Sequence, residues 1–211
     1  MCTKIQTKYG VLSITHHDEK HKMAGFQSLN TSVSQNTFCD SMKRINGAVC
    51  QKCFADKMLK RYKSMEVNSI ENGRILSTHC MNVDELPLIN AKAFRLHSTG
   101  ELINETHFDN YMKLCDRNPD TIFTLWTKRV NTVSNCLEYR EKPKNLILVY
   151  SSPLVNIEMQ LPEYFDKTFT VYNKEYIKTN DVDINCGSKS CLGCMLCYTH
   201  NDVKVIKELI R

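Results

Sequence analysis

The sequence predicts an α/β fold: a partial, open barrel of mostly parallel strands with outer helices, plus a cysteine-rich C-terminal segment. Three observations carry this. Short apolar, β-branched runs alternate with stretches whose apolar residues recur every three or four positions. Residues 145–150 (Asn145-Leu-Ile-Leu-Val-Tyr150) are apolar along nearly their whole length, as strands buried on both faces are. Four thiols, Cys186, Cys191, Cys194 and Cys197, fall within the twelve residues 186–197. The repeating unit occurs about five times, too few for a closed eight-stranded barrel. Residues 1–180 are read as the barrel domain with a first cysteine group, and residues 181–211 as a cluster-binding segment packed on it.

The elements follow in order. Residues 9–14 are extended, and a polar turn with His16, His17 and His21 comes next. No second ligand pattern accompanies these histidines, so they read as surface residues. Residues 26–32 alternate weakly, as a strand does. Asn46-Gly47 signals a turn. From Phe54 the period is helical, with Phe54, Met58, Tyr62 and Met65 on one apolar face and Asn72-Gly73 as the stop. Residues 94–101 read as a strand running into a glycine turn. Residues 106–115 form a helix with Phe108, Tyr111, Met112 and Cys115 on one side, ended by Asn118-Pro119. Residues 121–126 form a strand rich in β-branched and aromatic residues. Val133, Cys136, Leu137 and Tyr139 mark another helix, residues 168–172 a further strand, and residues 203–210 a short closing helix.

Composition sets bounds. The chain has 211 residues, 42% hydrophobic and 24% charged, as soluble globular proteins have. No run of about 18 apolar residues suggests a membrane span, and the start lacks a signal-peptide core. A cytoplasmic protein is therefore expected, where thiols stay reduced. Its eleven cysteines then read as ligands and buried thiols, not as disulfides. The net charge of +5 is mild. Its densest cluster, Lys57, Lys60, Arg61 and Lys63, reads as a solvated helix face, and a nucleic-acid partner is not favoured.

The cysteine spacing points to metal chemistry. The late run has gaps of four, two and two residues, closer to ferredoxin ligation than to paired zinc knuckles. Zinc remains the alternative. Cys39, Cys50 and Cys53 form an earlier group at the mouth of a helix. Three thiolates can hold three irons of a 4Fe–4S cluster and leave the fourth open to a small molecule. The late quartet can close a cluster by itself. One or two clusters are therefore expected. Cys2, Cys80, Cys115 and Cys136 are not expected to be ligands; Cys115 and Cys136 read as small hydrophobes.

In parallel α/β sheets the working site lies at the carboxyl ends of the strands. There the sequence places Cys39, Cys50 and Cys53, then His97 to Glu101, then Lys128 and Arg129, then Ser151 and Ser152. His97 reads more as a hydrogen-bonded core histidine than as a ligand, and Glu101 equally as a helix-start carboxylate.

Ordered pieces along the chain resemble the phage gene product 88 family. They are Phe38-Cys39, Val49-Cys-Gln-Lys-Cys-Phe-Ala55, Phe94-Arg-Leu-His-Ser-Thr-Gly-Glu101, Phe123-Thr-Leu-Trp-Thr-Lys128, Pro143-Lys-Asn-Leu146 with Ser151-Ser152, and the terminal cysteines. Thr99 and Glu101 stand where that family has Ser and Asp. The resemblance implies a phage-type protein of the host-cell cytoplasm and no established reaction. The layout also resembles a reduced radical S-adenosylmethionine fold. That resemblance implies a cluster on the early cysteines and a cofactor-binding turn at Ser98, Thr99, Gly100 and Glu101. The pattern departs in two places: the aromatic Phe54 follows the third cysteine, and the first cysteine gap is ten residues.

Three functions follow. One is an iron–sulfur enzyme, redox or radical, on an unknown substrate with S-adenosylmethionine as cofactor. The second is a non-catalytic cluster protein, structural or passing electrons to a redox partner. The third is a zinc-binding interaction module.

Overall fold

The computed structural model describes residues 2–210. Among the described residues eight strands form one mixed sheet in sequence order. An N-terminal hairpin, β1 (Cys2–Thr7) and β2 (Gly10–His16), runs antiparallel, and β2 pairs antiparallel with β3 (Gln27–Ser28). From β3 onward every pairing is parallel, through β4 (Ala93–Arg95), β5 (Ile122–Thr127), β6 (Leu146–Ser151), β7 (Lys167–Tyr172) and β8 (Val205–Leu209). The sheet is open, with β1 and β8 as its edges. Among the described residues no helix is long and apolar enough to cross a membrane.

Among the described residues seven α-helices accompany it. Three of them, α1 (Thr37–Lys43), α2 (Phe54–Arg61) and α3 (Lys63–Thr78), lie between β3 and β4. Two more, α4 (Glu105–Arg117) and α5 (Val130–Leu137), follow β4 and β5. The last two, α6 (Lys174–Asn180) and α7 (Cys191–Cys194), separate β7 from β8.

The sheet has two differently covered faces because successive strand residues point opposite ways. Phe94, Phe123, Leu125, Leu146 and Leu148 pack with Ile75, Phe108 and Val133 of the helices in the main core. Each such buried side chain contributes about 1.5–3 kcal/mol. Tyr111 of α4 also fastens the strands, since its hydroxyl donates to Leu29 O (3.1 Å) and Leu96 O (2.9 Å). On the opposite face, Ile147, Val149, Ile206, Trp126 and Phe169 lie against Cys186, Leu196 and Cys197. The cysteine-rich segment covers that face.

The structure corrects several local expectations. Residues 203–210 hold a strand, β8, and not a helix; pairing with β7 overrides the weak helical pattern. Asn72-Gly73 does not stop a helix but lies inside α3. The Asn72 side chain accepts from Ser13 N and donates to Ser13 O and Asn30 O, while Gly73 lets Ile103 approach. The helix expected from Phe54 breaks instead at Tyr62. Its buried face is not the expected one. Phe54 is 65% and Tyr62 45% exposed, whereas Leu59 is buried with Val33 and Cys39. His17 is no surface residue: it is partly buried and bonded to Ser28 Oγ at 3.1 Å.

Candidate functional site

The carboxyl rim of the parallel strands is assembled from four successive strand ends. After β3, Asn30 and Asn36 act as clamps. Asn30 Oδ1 accepts from Ser98 N (2.8 Å), Ser98 Oγ (2.9 Å) and Thr99 N (3.2 Å). Asn36 caps α1 by accepting from Phe38 N, and its amide donates to Glu101 O (3.3 Å) and Leu102 O (3.0 Å). The helix that carries Cys39 is thus tied to the turn after β4.

That turn requires its glycine. Gly100 has φ +126°, and a Cβ there would lie 2.3 Å from Thr31 Oγ1 and 2.7 Å from Thr31 O. Glu101 is buried and does not start a helix. Its carboxylate accepts from Leu102 N (2.8 Å), Thr127 Oγ1 (2.5 Å) and Lys128 N (3.0 Å), stitching β4 to the end of β5. His97, also buried, bonds Trp126 O through Nε2, so it is a core histidine. Lys128 Nζ donates to Ser151 Oγ at 3.0 Å, linking the ends of β5 and β6. Ser152 turns away, its hydroxyl donating to Leu154 O and Ile157 O.

Over this rim runs an arch. Ala48 pairs with Leu154 as an isolated bridge, Val49 N donates to Pro153 O (2.9 Å), and Val155 N donates to Gly47 O (3.3 Å). The chain that left β3 therefore crosses to the far side of β6. The arch carries Cys50 in a single 3₁₀ turn and Cys53 immediately before α2. Cys39, 8% exposed, is pushed up to about 12 by burial, then by Glu101, Cys50 and Cys53, with Lys128 opposing. Burial also raises Cys50, again against Lys128. The three early thiols, Glu101 and Lys128 share one neighbourhood, as the order of residues in the chain implied. Beside them opens a cleft of about 580 Å³ lined by Thr37, Phe38, Lys128, Arg129, Thr132 and Tyr150. The Arg129 guanidinium lies 5.0 Å from the Phe38 ring centre and bonds Thr132 Oγ1.

The late cysteines form a local turn. Ser190 Oγ caps α7 by accepting from Gly193 N, and Met195 takes a left-handed conformation at its end. Cys191 N donates to Lys22 O (2.8 Å) and Cys186 N to Lys207 O (3.0 Å), fixing the run to the β2–β3 loop and to β8. Cys186, Cys191, Cys194 and Cys197 line one small cavity of about 20 Å³ with Lys22 and Tyr198. Burial pushes Cys197 up to about 12; Cys186, Cys191 and Cys194 add to this and Arg95 opposes it. Arg95 stacks 3.9 Å over the Trp126 ring, and Lys22 Nζ lies 3.3 Å from Cys186 Sγ.

All eleven cysteines are free thiols. Among the described residues no group of three or more His, Cys, Asp or Glu side chains is placed to hold a metal ion. Zinc needs four sulfurs at about 2.3 Å from one point. The ligands of a cubane cluster bind separate irons and stand further apart. The four late sulfurs line one cavity together with Lys22, and Arg95 lies close enough to oppose the upward shift of Cys197. Sequence reasoning missed the asparagine clamps, Lys22 and Arg95. Each acts through long-range contacts that no local spacing marks.

A family model described as Gene product 88 matches residues 12–208. No curated protein and no solved structure matches the chain.

Proposed function

The chain belongs to the gene product 88 family, and on that premise we propose that it is an iron–sulfur protein with two cluster sites. Cys39, Cys50 and Cys53 would hold the first, at the carboxyl rim; Cys186, Cys191, Cys194 and Cys197 would hold the second. The observation that carries this reading is the arch, which brings the three early thiols beside Glu101 and Lys128, far from them in the chain, at the strand ends. A cluster with three protein ligands supplies an open iron, and S-adenosylmethionine is the ligand class to test there. Ser98 to Glu101 shape that side of the rim.

The residues present have defined tasks. Lys128 puts a positive charge beside Cys39 and Cys50 and favours their thiolates. Lys22 and Arg95 do the same for Cys191 in the second group. Glu101 positions the β5 end. Its three internal donors favour a second reading, in which the clusters are structural or pass electrons and no cofactor is cleaved.

Oxygen-free purification with iron, sulfide and zinc analysis tests the proposal. A brown protein with iron and acid-labile sulfide and an EPR signal on reduction is expected. A colourless zinc protein would defeat it. Cleavage of S-adenosylmethionine to 5′-deoxyadenosine under reduction separates the enzyme from the non-catalytic form.

A further inference from the structure

The arch and the helix after it carry more charge than the rest of the molecule accounts for. Residues 43–63 hold seven basic residues, Lys43, Arg44, Lys52, Lys57, Lys60, Arg61 and Lys63, against one acid, Asp56. That is a net +6 in 21 residues, while the whole chain nets +5. The remaining 190 residues therefore sum to −1. The positive charge is a local feature of one segment, not a general property of the surface.

Some of these cations have intramolecular partners. Asp56 faces Lys60 (2.8 Å) and Lys43 (3.4 Å), and Glu66 faces Lys63 (3.1 Å). Among the described residues Arg44, Lys52, Lys57 and Arg61 form no ion pair. Two aromatic rings stand among them. Phe54 and Tyr62 are 65% and 45% exposed, and Arg61 lies 5.4 Å over the Tyr62 ring. Phe54, Lys57 and Arg61 are spaced three and four apart and share one face of α2. Phe54 and Tyr62 are eight residues apart, about 12 Å along a helix axis. The apolar side of the helix is spent inward, with Leu59 buried and Ala55 packed beside it. The outward side is cationic with two separated rings. A bilayer-binding helix presents a continuous apolar face instead.

Cations that neutralise phosphates, interleaved with exposed rings on which bases stack, make the surface that single-stranded nucleic acid recognises. We propose that the arch and α2 form a binding surface for single-stranded DNA or RNA, contacted by Lys52, Phe54, Lys57, Arg61 and Tyr62. Lys and Arg there meet the phosphate backbone and the rings meet unpaired bases. Such binding tolerates many sequences, because every base has a π-face. This inference stands apart from the cluster proposal: it needs the surface and not the metal.

Fluorescence anisotropy of the full-length, oxygen-free protein with a labelled oligo(dT) or oligo(U) tests it. Binding is expected to weaken linearly in log affinity against log salt. Lys57→Ala and Arg61→Ala should each flatten that slope by about 0.7. Phe54→Ala should weaken binding about tenfold and leave the slope unchanged. Lys174→Ala with Lys178→Ala, on α6, should change nothing, and thermal melting checks that each variant is folded. Three results would overturn it: no binding at low salt, binding insensitive to all the α2 changes, or duplex bound as tightly as single strand. Binding to phosphatidylserine vesicles but not to either oligonucleotide would assign the surface to membranes and also overturn it.

Discussion

The two cysteine groups are assembled by opposite routes. The late four lie within twelve residues, and a helical turn capped by Ser190 gathers them. The early three span fifteen residues and meet only because the arch is pinned to the loop after β6. The late group is a local structure laid on the sheet face opposite the main helical layer, while the early group belongs to the rim where four strands end. A local turn keeps its ligands together even when the sheet loosens. A rim site depends on every strand that builds it. Were both groups to hold the proposed clusters, the late one would be the more stable centre and the early one the more open to ligand exchange.

Four experiments sharpen or break this contrast. The largest effect is expected from thiol removal. Cys50→Ala with Cys53→Ala should cut bound iron about in half and leave the second centre's EPR signal, because each proposed cluster has its own ligands. Cys194→Ala with Cys197→Ala should do the converse. Loss of both signals in either variant would show that the sites are not independent.

Next in size is Gly100→Ala. The added Cβ meets Thr31 backbone and side chain, and φ +126° is strained for any other residue. A loss of about 3 kcal/mol or more is expected in a denaturant titration. The early centre should be lost before the late one as denaturant rises. Simultaneous loss would contradict the contrast drawn above.

Asn30→Ala comes third. It leaves Ser98 N and Thr99 N without their shared acceptor, at about 1–3 kcal/mol for the buried donors. Iron in the early site should fall while the late site fills normally, read by metal analysis of sites isolated by the double cysteine changes.

The smallest effect concerns pH. Burial, with His21 and Arg95 nearby, lowers His17 to about 4. The unfolded chain binds this proton below about 6.5, and the folded chain only below about 4. Stability should therefore be full above pH 6.5 and fall between pH 6.5 and 4. His17→Gln should flatten that part of a stability-versus-pH curve, followed by thermal melting. An unchanged curve would reject the assignment. Neither cysteine group is involved, so metal content should not follow this slope.

Much of the architecture was legible residue by residue. Residues 146–150 announced a strand buried on both faces, because a helix-sandwiched strand has no polar side. The face of α4 carrying Phe108, Tyr111, Met112 and Cys115 was readable from its spacing, and all four are buried. The alternation of elements implied the parallel order that β3 to β8 adopt. That order put Cys39, Cys50, Cys53, Glu101 and Lys128 near the carboxyl ends of the strands, and the arch then brought the thiols to one place. Other features were not legible. Phe54 looked like core and is exposed, because the arch fixes the rotation of α2 and turns Leu59 inward. The strand β1 left little trace, since edge strands bury little apolar surface.

What the sequence determined by itself was the local vocabulary: periodic apolar faces, a mostly apolar strand, and sulfur at ligand spacing. These depend on neighbours within a few residues, so they can be read in order. Only the tertiary structure decided which thiols face one another across the rim, what holds Glu101, and which side of α2 meets solvent. Those outcomes rest on contacts between residues far apart in the chain, such as Ala48 with Leu154 and Asn30 with Ser98, and no local pattern encodes such a pairing.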